Sequence, residues 1–127
     1  MELDKTIREN LDGDYLTIHV ENFKEGVEYA AQKKLQQIHL IGGRTKNVIV
    51  DFKELNKLSE TLQDISFIQD IGNVVNFESI YNLKEMRKVY FQDKQKFTFD
   101  ISRFTKLQHL GSDYWNGLTN LDKAYSL

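Results

Sequence analysis

The chain has 127 residues, of which 40% are hydrophobic and 28% charged, with a formal net charge of −2 and neither cysteine nor proline. That suits one globular domain with a continuous core, and it argues against disorder, a disulfide framework, a thiolate metal site, or a global field drawing nucleic acid or anionic membrane. No apolar run reaches the roughly 20 residues of a membrane helix, and the opening "MELDKTIREN" lacks the basic flank and apolar core of a secretory signal, so a cytoplasmic setting is expected.

The first predicted strand is "YLTIHV", with Tyr15, Ile18 and Val20 as its apolar side. Phe23, Val27, Ala30 and Ala31 then recur at helical spacing behind Asn22, a residue type favoured at N-caps, so the spacing predicts an amphipathic helix over 22–34. Next come "LQQIHL" (Leu35, Ile38, Leu40), a turn at "IGGRTKN", and a return segment lined by Phe52, Leu55 and Leu58. The same cycle follows twice. "LQDISF" (Leu62, Ile65, Phe67) leads to Phe77, Ile80 and Leu83; "MRKVYF" (Met86, Val89, Phe91) leads to Phe97, Ile101 and Phe104. "LQHLGS" is a weaker copy, with Leu107 and Leu110 but Ser112 in the third place. A unit of one strand and one apolar return segment cannot bury its apolar side alone, so such units must stack.

This pattern resembles the leucine-rich repeat family, whose frame is L-x-x-L-x-L-x-x-N/C-x-L with a period of about 20 to 29 residues. The resemblance covers residues 35–127 well and 11–34 loosely. It implies an α/β fold: a solenoid with a parallel β-sheet on one face and an N-terminal helix as cap. The expected organisation is one domain over 1–127, with cap and first strand in 1–34 and repeats in 35–127. One departure stands out. Where the family carries Asn or Cys at the ninth place, this chain has Gly43, Asp70, Lys94 and Trp115, so its turns must be closed differently. A rival reading, strand-helix-strand-strand-helix-strand over the first half, would give a ferredoxin-like domain with an unrecognised ligand site. It leaves "MRKVYF" and "LQHLGS" unexplained.

Patterns for chemistry are sparse. "IGGRTKN" lacks the spacing of a phosphate loop, no serine sits in a G-x-S-x-G elbow, and the histidines, His19, His39 and His109, show no metal-ligand spacing. The repeat frame would set His19 beside His39 on adjacent strands, the one place where an enzymatic site could hide. "RKVYFQDKQKFTF" mixes basic and aromatic residues but does not match an RNA-binding motif, and Phe91 and Phe97 read as core. No catalytic role, cofactor or metal is expected.

What remains is a surface. Alternate residues of a strand leave the core, which predicts three outward columns: Thr17, Gln37, Asp64, Lys88, His109; then His19, His39, Ser66, Tyr90, Gly111; then Ile41, Ile68, Gln92, Asp113. The resemblance implies that this face binds protein, through Gln37, His39, Ile41, Asp64, Ser66, Ile68, Lys88, Tyr90, Gln92 and His109. The expected function is a noncatalytic protein-binding module, with a small immunity-type or regulatory protein that blocks one cognate partner as the alternative. "GLTNLDKAYSL" carries Leu118, Leu121, Ala124 and Leu127 without a polar closing segment, so a homodimer through the C-terminal edge, or a poorly packed tail, is a further expectation.

Overall fold

The computed structural model describes residues 7–10, 13–42, 48–93, 95–112 and 118–119. Six strands form the main sheet: β1 (Ile7–Asn10), β2 (Gly13–His19), β3 (Gln37–Ile41), β5 (Asp64–Ile68), β7 (Lys88–Phe91) and β9 (His109–Ser112), in the order β1-β2-β3-β5-β7-β9. β1 pairs antiparallel with β2, with Asn10 opposite Gly13; the other five strands run parallel. The fold is therefore α/β with a mostly parallel sheet. Among the described residues no antiparallel ferredoxin-like sheet is formed. Residues 49–51 of the "NVIVDF" segment, which would have supplied one of its strands, lie apart, where β4 (Ile49–Asp51) pairs parallel with β6 (Asn73–Val75). A third sheet pairs β8 (Phe99–Asp100) with β10 (Leu118–Thr119), also parallel.

Between successive strands of the main sheet the chain returns through short helical segments: α1 (Phe23–Gln32), then 3-10 segments at Phe52–Leu58, Phe77–Asn82 and Ile101–Arg103. Each return begins with an Asn or Asp followed by a large apolar residue: Asn22-Phe23, Asp51-Phe52, Asn76-Phe77, Asp100-Ile101. The acidic members cap their segments, Asp51 accepting from the Lys53 backbone N–H (2.9 Å) and Asp100 from that of Ser102 (3.1 Å). Asn76 links two such corners, donating from Nδ2 to Asp51 Oδ1 at 2.9 Å. That bond, with the Lys53 N–H, holds the Asp51 carboxyl below the usual carboxylate range. Phe23, Phe52 and Phe77 of these steps line up into a spine that Phe97 continues, with ring centroids 6.0 Å apart for Phe23–Phe52, 5.9 Å for Phe52–Phe77 and 4.5 Å for Phe77–Phe97.

The core lies between this spine and the sheet. One inward row runs Leu16, Ile38, Ile65, Val89, Leu110, and the next runs Ile18, Leu40, Phe67, Phe91, Ser112. Every apolar member is fully buried except Leu110, which is half-buried. The predicted stack of Ile38, Ile65, Val89 and Leu110 is present. β2, the first strand that the sequence predicts, departs from the predicted frame: Tyr15 faces outward and Leu16 takes the core position. In the later units the leading residue (Leu35, Leu62, Met86, Leu107) precedes the strand, so it can be buried out of alternation. β2 already begins at Gly13, extended by its pairing with β1, so strict alternation runs through Tyr15 and turns it outward.

Helix α1 buries Phe23, Gly26, Val27 and Ala30, and it is two residues shorter than predicted at its C-terminal end. Asn22 precedes it without a side-chain cap bond, because a 3-10 turn, Val20–Asn22, already leads into the helix. Gly26 allows a close approach: a Cβ there would meet Ile18 Cγ2 at 2.6 Å. Two side chains satisfy backbone groups at the turns that follow the strands. Asp70 Oδ1 accepts from the Gly72 N–H at 2.8 Å, and buried Gln95 accepts from the Ile71 N–H (3.1 Å) while donating to the carbonyl oxygens of Gln69 (2.8 Å) and Asp93 (3.2 Å). Gly43, Lys94 and Trp115, like Asp113, Leu121, Ala124 and Leu127, lie outside the described residues.

Candidate functional site

The outward face of the main sheet is set by its register. Tyr15, Gln37, Asp64, Lys88 and His109 are successive partners in one row; Thr17, His39, Ser66, Tyr90 and Gly111 follow in the second; His19, Ile41 and Ile68 lie in the third. Gln92 continues the third row, its backbone N–H donating to the Phe67 carbonyl at 2.9 Å. Nine of the ten residues predicted for the face are thus brought onto one side of one sheet, and Gln92 follows directly after β7. The first strand is the exception to the predicted columns, displaced by two residues: Tyr15 stands where Thr17 was expected and Thr17 where His19 was. His19 pairs with Ile41, so the two imidazoles do not share a row. His39 instead stacks on Tyr15, with centroids 3.9 Å apart and planes 18° from parallel.

Placement on the face does not mean exposure. Gln37 (3% exposed), Asp64 (7%) and Ser66 (6%) are buried between neighbours about 4.8 Å away on either side, so they form the floor rather than protrude. Gln37 is accordingly not the indifferent surface position its alternation suggests. His39, Ile41, Ile68, Lys88 and Tyr90 are half-buried, and Gln92 and His109 are exposed. The Tyr90 ring lies across Gly111, where a Cβ would come within 2.7 Å of Tyr90 Cδ1; a glycine in the next strand therefore gives the ring its bed.

Two contiguous depressions cross this face. One, of about 470 Å³, is bounded by His39, Ser66, Tyr90, Leu110 and Gly111. The other, of about 410 Å³, lies at the start of the strands and is lined by Gln36, Gln37, Gln63, Asp64, Arg87, Lys88, Gln108 and His109. Asp64, Lys88 and His109 border both. Burial, followed by the nearby Lys88 ammonium, holds the His39 imidazole below its ordinary pKa, which favours the neutral ring.

Sequence reasoning missed two contributors. The predicted frame reads Tyr15 as core, whereas the register turns it outward. The lead-in residues Gln36, Gln63, Arg87 and Gln108 carried a signal that went unused: each directly follows the first apolar residue of its unit. The carbonyls of Gln36, Gln63 and Arg87 each accept two backbone N–H groups from the following unit, at 2.7–3.0 Å, which fixes the row rigidly. Among the described residues, no group of three or more His, Cys, Asp or Glu could hold a metal ion, and no helix is long and apolar enough to cross a membrane. Comparison with protein-family models, with curated proteins and with solved structures finds no match.

Proposed function

We propose that the chain is a short leucine-rich-repeat-like solenoid, with α1 capping its first unit, that acts as a noncatalytic protein-binding module through the outward strand face. The observation that carries this reading is the unbroken register of that face: three adjacent parallel strands place His39, Ser66 and Tyr90 in one row, beside Ile41 and Ile68 in the next. A row with a half-buried aromatic ring next to a row with two aliphatic side chains, rimmed by charged and amide groups, is the composition of an interface centre. A cytoplasmic protein as partner belongs to the same proposal.

The test is affinity capture from the source cell with the intact gene product, comparing wild type with a Tyr90→Ala, Ile68→Ala variant. Once a partner is isolated, Tyr90→Ala should weaken binding by about 2 kcal/mol, as loss of a central anchor does. Titration calorimetry reads the change, and a melting temperature close to wild type shows that the fold is intact. Unaltered affinity in the double variant would move the binding surface off this face.

A further inference from the structure

The lead-in groove carries chemistry unlike that of the rest of the face. Gln36, Gln63, Arg87 and Gln108 stand in a row in that order, one ahead of each strand, so Gln36 and Gln63 offer adjacent primary amides and Arg87 separates them from the amide of Gln108. None of the three amides makes a side-chain hydrogen bond to a described residue. Their backbones are pinned by the paired carbonyl bonds, so the side chains stand at the sheet's own spacing of about 4.8 Å. Across three intervals that row spans roughly 14 Å, the length of about four residues of extended chain. A primary amide donates and accepts at once, as a peptide unit does, so a row of them is matched to peptide backbone rather than to an apolar side chain.

Charge chooses the side chains of such an occupant. Arg87 and Lys88 lie together at the far half of the groove, with the exposed His109 beside them, against the single carboxylate of buried Asp64. A molecule with a net charge of −2 thus presents a local cationic excess at this groove. Arg87 offers a planar fork that suits a carboxylate in bidentate geometry.

We propose that the lead-in groove binds an extended acidic peptide segment of the partner, its backbone on the glutamine amides and a carboxylate side chain on Arg87 and Lys88. This rests on the strand face being the protein-binding surface, and it names the kind of segment that face receives. The probes are blocked degenerate hexapeptide pools with Glu, Ser or Lys at alternate positions, and an eight-nucleotide oligo-uridine, titrated into 15N-labelled protein. The Glu pool should shift the side-chain amide signals of Gln36, Gln63 and Gln108, and an Arg87→Gln, Lys88→Gln variant should bind it at least tenfold more weakly. Gln63→Leu, which keeps both charges, should also weaken it.

Shifts elsewhere on the molecule, equal binding by the Lys pool or the oligonucleotide, or undiminished binding by the charge variant would overturn the proposal. A captured partner that depends on Tyr90 but is not displaced by the Glu pool would overturn this inference and leave the binding role of the face standing. Loss of Glu-pool binding in Arg87→Gln, Lys88→Gln but not in Tyr90→Ala would support the groove as a separate contact.

Discussion

Gly26 shows why a residue's effect is set by its neighbour. In an exposed helix interior, replacing glycine by alanine is usually worth about 1 kcal/mol of added stability. Here the added methyl would lie 2.6 Å from Ile18 Cγ2 and 2.9 Å from Cγ1, so Gly26→Ala should instead destabilise by about 1–3 kcal/mol, read as a lower urea midpoint with an unchanged m-value. His39 gives a pH effect of definite sign. Its folded pKa is depressed, so as pH falls below about 6.5 the unfolded chain takes up its proton first and stability drops. The contribution is complete above the unfolded value and is lost as pH falls through the folded one. Urea titrations between pH 7.5 and 5 should show this loss, and His39→Gln should remove that part of the slope. Individual outward residues were legible wherever alternation began at the same place in each unit, as at Gln37, Asp64, Lys88 and His109. Tyr15 was not, because a tyrosine reads as core when the start of its strand is unknown. Burial of Gln37, Asp64 and Ser66 was invisible too, since strand period assigns a direction and not the height of the neighbours.

At the scale of elements, the strands were the readable part and the turns were not. The L-x-x-L-x-L spacing located β3, β5, β7 and β9, and the apolar positions of the returns marked three 3-10 segments. The Asx-aromatic steps at 22–23, 51–52 and 76–77, with Asp100-Ile101 after them, offered a sharper marker that apolar spacing passed over. Gln95 was unreadable for a different reason: it satisfies groups at Gln69 and Ile71, some two dozen residues away in sequence and on the neighbouring turn. The end of α1 carries a testable conflict. Lys34 sits at φ 53° just past the helix, and the Leu35 N–H closes back on the Ala30 carbonyl at 3.0 Å, the arrangement in which glycine is preferred. Left-handed backbone costs a non-glycine residue about 1–2 kcal/mol, part of which glycine returns through its freer unfolded chain. Lys34→Gly should therefore stabilise by up to about 1 kcal/mol, seen as a higher melting temperature by circular dichroism.

For the molecule as a whole, the interior is one cluster shared by every unit, and its centre is β5. Ile65 and Phe67 are fully buried, with β3 on one side and β7 on the other. Ile65→Ala should open a cavity between two units and cost about 3 kcal/mol, measured as a fall in unfolding free energy at constant m-value. The strand order also governs how the chain can reach this state. In the main sheet each strand pairs with the one formed just before it, so no native pairing waits on the far end of the polypeptide. Every loop to be closed is about one unit long, and closure entropy grows only with the logarithm of that length. A parallel sheet is ordinarily among the slower architectures to assemble because its partners are remote. Here the remoteness is capped at one turn of the pattern, and the search for each new partner begins within a few tens of residues of the last.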